Sequence, residues 1–135
     1  VNALELHQEV WRRNTEGAAD YSDLTVPEFN LDIAGFPPVP VDGVPEVVAA
    51  WRAPFSDFGR DRRILRSLAD ANGIAVEHQM LMTHTGDFTT PAGEVIPATG
   101  RKVTVRSVDV LSVRDGKLAQ WRAYPDLVGL LQQLQ

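Results

Sequence analysis

Lys102-Val103-Thr104-Val105-Arg106-Ser107-Val108-Asp109-Val110-Leu111-Ser112-Val113 is the stretch on which the reading of this chain turns. Successive side chains of a strand point to opposite faces. Val103, Val105, Ser107, Asp109, Leu111 and Val113 therefore share one face, and Lys102, Thr104, Arg106, Val108, Val110 and Ser112 share the other. The first face is apolar apart from Ser107 and Asp109, so the alternation alone turns the Asp109 carboxyl toward a core. Asp115-Gly116 is a hairpin signal, and Lys117 to Tyr124 is the returning strand. Upstream, Asn72-Gly73 precedes a second alternating run, Ile74 to His84, with Ile74, Val76, His78, Met80, Met82 and His84 on one face.

Working outward to the N-terminus, Ala3 to Asn14 mixes Leu4, Leu6, Val10 and Trp11 with charged residues, the pattern of an amphipathic helix that Glu16-Gly17 ends. Tyr21 to Ile33 holds Phe29, Leu31 and Ile33 in alternation and predicts a short strand. Gly35 to Pro45 contains four prolines and reads as a loop. Pro45 to Phe58 opens with proline and glutamate and continues Val47, Val48, Trp51, Phe55 at helical spacing. Arg60, Asp61, Arg62, Arg63 and Arg66, interleaved with Asp57 and Asp70, read as a solvated helix or turn face. Thr89 to Gly100 is a Pro- and Gly-containing excursion, and Leu127 to Leu134 is a short helix with Asp126 placed to cap it. Helices first, then three long antiparallel strands, then a terminal helix predict one α+β domain over 1–135, with a curved antiparallel sheet wrapped over the N-terminal helices.

Composition narrows the function classes. The chain has 135 residues, 44% hydrophobic and 23% charged, which suits one domain with one core. A formal charge of -5 argues against a nucleic-acid partner. The absence of cysteine removes thiolate nucleophiles, disulfides and sulfur-bound zinc. No apolar run is long enough to cross a bilayer, and a cytoplasmic location is the default expectation. The spacing of His7, His78 and His84 matches no metal motif, so no metal is expected.

A buried carboxyl with no cation beside it has its pKa raised, which predicts that Asp109 exchanges protons near neutrality. His78 and His84 share a face that a neighbouring strand brings to Asp109, and an Asp–His pair would orient the imidazole for proton transfer. Asp32 is a candidate base on the first strand. Trp11, Trp51, Phe55, Met80 and Trp121, with Ser107 beside Asp109, are candidates to line a pocket for a flat polycyclic ligand.

The C-terminal half carries five short segments in order: His84-Thr85-Gly86-Asp87, Thr99-Gly100-Arg101, Asp115-Gly116-Lys117-Leu118, Trp121-Arg122-Ala123-Tyr124-Pro125-Asp126 and Gly129-Leu130-Leu131-Gln132-Gln133-Leu134. This order resembles the SnoaL-like polyketide cyclases, in the superfamily of nuclear transport factor, ketosteroid isomerase, scytalone dehydratase and limonene epoxide hydrolase. The resemblance implies a cone-shaped fold around a deep apolar pocket, no cofactor, a homodimer or higher homo-oligomer, and a hydrophobic polycyclic substrate. It also marks departures. The cyclase acid position is held here by Ala123, and the epoxide hydrolase set is replaced by His84, Gly86 and Ala123. Asp109 aligns with a pocket histidine of the cyclases and with the isomerase aspartate that stays protonated in the oxyanion hole. Asp32 is similar in place to the isomerase base, whereas the isomerase tyrosine is missing, with Val10 or Trp11 near its position. A diverged cyclase or tailoring hydroxylase is the expected function. The alternatives are an isomerase or dehydratase using Asp32 and Asp109, and a non-catalytic binding domain.

Overall fold

The structure is a computed structural model that describes residues 2–135. Helix α1 (Ala3–Glu16) begins where the Asn2 side chain accepts the Glu5 N–H at 2.9 Å and ends at Gly17, whose φ of 76° an L side chain adopts only at a cost. Its buried residues include His7, Trp11 and Asn14, one stripe at i, i+4 and i+7. A short strand β1 (Asn30–Ile33) follows, then β2 (Val39–Pro40), a 3-10 turn over Val41–Gly43, and helix α2 (Val44–Arg52) with proline in its first turn. The long strands are β3 (Asp61–Asp70), β4 (Gly73–Thr83), β7 (Lys102–Arg114) and β8 (Lys117–Pro125). A small hairpin, β5 (Phe88–Thr89) with β6 (Val95–Ile96), lies between β4 and β7, and α3 (Leu127–Gln133) closes the chain with Asp126 accepting from Gly129 N–H at 2.9 Å.

The main sheet has the order β2-β1-β8-β7-β4-β3. Its long neighbours pair antiparallel as the alternation requires, but β1 lies parallel to β8, with Leu31 opposite Trp121 and Ile33 opposite Ala123. The sheet is therefore mixed rather than wholly antiparallel. A second correction concerns the basic cluster. Arg60 ends a turn, but Asp61 to Arg66 is neither helix nor turn, because it belongs to the edge strand β3, hydrogen-bonded to β4 on one side only. The expected strand from Tyr21 shrinks to four residues, and the proline loop contains β2.

The concave face of the sheet carries Val76, His78, Met80 and Met82 from β4 and Val105, Ser107, Asp109 and Leu111 from β7, all buried. Helices α1 and α2 pack over this face, and Leu6, Val10, Val44 and Val48 join the core. The sheet thus becomes one wall of a cone with the helices as the other, and Asp109 lies on the inside of it.

Candidate active site

Cross-strand register assembles the site. In the β4–β7 ladder, Val76 stands opposite Asp109 and His78 opposite Ser107, so His78 is the diagonal neighbour of Asp109 on the same inward face. Helix α1 crosses above and lowers His7 and Trp11, one turn apart, onto the same point. Three nitrogens converge on a single oxygen. Asp109 Oδ2 lies 2.9 Å from His7 Nε2, 2.9 Å from Trp11 Nε1 and 3.1 Å from His78 Nε2. The indole N–H can only donate, so Oδ2 is an acceptor in this arrangement. Among the described residues no group donates to Oδ1. Asp109 lines the cavity in front of the cluster while His7 and His78 lie behind it, which leaves Oδ1 as the oxygen offered to the cavity.

The electrostatics reverse the sequence expectation for Asp109. Burial alone would push its carboxyl up, yet the hydrogen bonds and positive ends of His7 and His78 outweigh burial and hold it below the usual carboxylate range. The buried carboxyl is an anion, not a stored acid. His7 moves the other way from a free imidazole: burial pushes its pKa down against the pull of Asp109, with Arg62 and His78 adding to the lowering. A neutral His7 donating Nε2–H to an ionised Asp109 satisfies both directions. The Nδ1 atoms of His7 and His78 are buried without hydrogen-bond partners among the described residues, and His78 Nε2 meets Asp109 as a close charge contact rather than an aligned hydrogen bond.

The cavity has a volume of about 70 Å³. Trp11, Trp51, Phe58 and Trp121 supply aromatic walls, Met80 and Met82 thioethers, and Asp109 is the one ionisable residue lining it among those described. Asn14 contributes an amide whose oxygen accepts the buried Tyr21 hydroxyl, and the Trp121 indole N–H is buried without a partner. Ala123 stands directly across the β7–β8 ladder from Asp109 and also lines the cavity, so a methyl group is all that borders the carboxylate on that side.

The residues singled out from sequence separate cleanly. Asp109 and His78 come together, and Trp11, Trp51, Met80, Ser107 and Trp121 all line the cavity. Phe55 does not: it is fully buried against His84 and Phe88, where it fills core. His84 lies outside the cluster because its Nδ1 holds Thr99 at the start of the loop before β7, 2.9 Å from Oγ1 and 3.2 Å from the backbone nitrogen. Asp32 alternates with Leu31 and Ile33, and since those two line the cavity, Asp32 projects from the opposite face, across from Arg122. His7 was passed over in the sequence. The stripe His7, Trp11, Asn14 on α1 was the available signal, since polar and aromatic groups at i, i+4 and i+7 share a buried face.

Two histidines and a carboxylate with ligand atoms within 4.8 Å of one another have the donor set of a metal centre. The surroundings fit a hydrogen-bonded cluster better. Trp11 already donates to the oxygen a metal would need, and neither imidazole has the outer partner on Nδ1 that orients metal-bound histidines.

A conical α+β fold enclosing an apolar cavity with one buried carboxylate defines a small-molecule pocket protein of the nuclear-transport-factor and ketosteroid-isomerase type. The chain belongs to the SnoaL-like polyketide cyclase family, whose model matches residues 1–134. Among solved structures, it is similar to IdmH from Streptomyces antibioticus, provisionally named a polyketide cyclase, with TM-score 0.80, 18% identity and 99% of each chain covered. It is similar also to AclR from Streptomyces galilaeus, provisionally named a hydroxylase, with TM-score 0.79, 17% identity and coverage of 98% of this chain and 94% of that one. A provisionally named polyketide cyclase from Acidithiobacillus ferrooxidans shares 26% identity at TM-score 0.71, over 98% of this chain and 93% of that one. No curated protein matches this chain. Among the described residues no helix is long and apolar enough to cross a membrane.

Proposed function

We propose that this chain is a cofactor-free enzyme of polyketide-type metabolism that binds a hydrophobic polycyclic substrate in the cone and removes a proton from it with Asp109. The observation that carries the reading is the division of labour between the two carboxylate oxygens: Oδ2 is fixed by His7, Trp11 and His78, and Oδ1 faces the cavity. A fixed base beside a bound substrate needs no reorganisation to accept a proton. Its depressed pKa makes Asp109 a weak base, so the reading calls for the most acidic protons a polyketide offers, such as those between two carbonyls. Removal of such a proton begins ring closure and equally begins the tailoring of a polyketide ring.

Geometry favours this reading over its competitors. An isomerase relying on Asp32 as base lacks that group in the cavity, since Asp32 is on the outer face. A purely structural Asp109 would pair with Arg106 or Arg122, but both stand on the outer positions of their strands and Arg106 reaches Asp126 instead, at 3.6 Å. The test is turnover of an aromatic polyketide intermediate by Asp109→Asn, which keeps size and hydrogen bonding while abolishing basicity. Turnover should fall by about 100-fold or more. Undiminished turnover would show that the carboxylate is not the base.

We propose as well that the enzyme works as a homodimer through the convex face of the sheet, where Leu68, Leu81 and Tyr124 are exposed.

A further inference from the structure

Asp109 is the one ionisable residue, among those described, on a cavity whose other walls are aromatic and apolar. Trp11 and a neutral His7 donate N–H groups to Oδ2, and His78 Nε2 approaches the same oxygen at 3.1 Å. No lysine or arginine among the described residues forms an ion pair with the carboxylate. Arg62 feels the Asp109 charge at longer range, and its central carbon sits 4.9 Å from the centre of the Trp11 ring. Arg62 does not line the cavity. Trp11 borders both the cavity and an outer groove that Arg62 shares with Arg60 and Gly59, so the indole stands between the two charges. On the cavity side Oδ1 has no donor, and the walls are aromatic and apolar.

A carboxylate set among walls of low polarity selects what enters, because charges interact strongly there. An anionic ligand is repelled. A cation gains twice, from the carboxylate and from the π-faces of surrounding rings, which attract positive charge most strongly when water is excluded. The cation must also suit the rest of the wall, which excludes a compact hydrated ion and favours a charge carried on an apolar body. We infer that the cavity accepts a substrate bearing a protonated amine on a hydrophobic aromatic frame, its N–H donating to Asp109 Oδ1 and its carbon frame lying among Trp11, Trp51, Phe58 and Trp121. This rests on the reading of the cavity as the substrate site, and names the substrate class.

Three probes of similar size separate the possibilities: N,N-dimethylbenzylamine, cationic at pH 7; N,N-dimethylbenzamide, neutral; and phenylacetate, anionic. Binding is read from tryptophan fluorescence, since three tryptophans line the cavity. The amine should bind wild-type protein roughly tenfold tighter than the amide, with phenylacetate weakest. In Asp109→Asn that preference should vanish while the amide still binds, which shows the variant cavity to be intact. Equal or tighter binding of the amide by wild-type protein, or an amine preference retained in Asp109→Asn, overturns the inference. A neutral hydroxyanthraquinone run in parallel distinguishes the two failures. If it binds and the amine shows no preference, the substrate class is wrong and the proposed enzyme stands. If neither it nor any probe binds, both readings fall.

Discussion

Asp109 Oδ2 is held by groups from two elements far apart in the chain, and the protonation of those groups follows from burial. His7 is driven toward its neutral form, so its folded-state pKa lies below the unfolded value of 6.5. A lowered histidine pKa means that the unfolded chain binds the extra proton first as the pH falls. Stability from His7 is therefore full above 6.5 and is lost on acidification below it. Asp109 adds a loss of the same sign at much lower pH, because its carboxyl is held below the unfolded value of 3.8. His7→Gln keeps a side-chain N–H for Asp109 but cannot titrate. The melting temperature of the wild type should fall more steeply from pH 7.5 to pH 5 than that of His7→Gln, as followed by circular dichroism; equal slopes would mean that His7 does not carry this dependence. The inward direction of Asp109 and the pocket position of Trp11 were legible in sequence because each depends on a local period. The sign of the Asp109 shift was not, since it depends on His7, a residue 102 positions away.

At the scale of elements, β4 and β7 are the frame on which the site is measured, and their alignment depends on close backbone contact at Gly73. A Cβ at that position would lie 2.1 Å from the Leu111 carbonyl oxygen, which is backbone and cannot rotate away. Gly73→Ala should therefore push β4 from β7 and cost about 1–3 kcal/mol in urea unfolding. The displacement should also weaken the His78–Asp109 approach, so ligand binding should weaken along with stability. An alanine variant as stable as the wild type would show that the hairpin absorbs the methyl group by a local shift. The strands of this frame were readable because each has one face in the core and one outside. Strand β3 was not readable, for two physical reasons. Nearly all its residues are exposed, so burial imposes no alternation, and a register shift between Ile64 and Arg66 breaks the period where the sequence was inspected for one. The parallel pairing of β1 with β8 was hidden as well, because strand direction in a sheet is set by a connection of some ninety residues rather than by a local signal.

The whole molecule presents two sheet faces with different chemistry. The concave face closes on the helices, whereas the convex one remains uncovered in the single chain. Register orders the convex side chains into rows: Leu68, Ala75 and Val110 run across β3, β4 and β7, and beside them Arg66, Glu77, Val108 and Tyr124 run on into β8. Leu68 is 61% exposed and Tyr124 49%, which leaves large apolar side chains uncovered on both sides of this face. Charges of both signs stand within and beside the second row, with Arg63, Arg66 and Arg106 near Glu77 and Asp61, so a copy turned by a two-fold axis would meet opposite charges while covering the apolar side chains. Sedimentation at micromolar concentration should give twice the 14.9 kDa mass of one chain. The double variant Leu68→Glu, Tyr124→Glu should sediment as the monomer, because it sets like charges against each other across the axis. Since both side chains are exposed within one chain, the variant should keep the circular dichroism spectrum of the wild type, and its monomer would still contain every residue around Asp109. A wild-type protein that sediments at the mass of one chain would leave the convex face free and would refute the dimer.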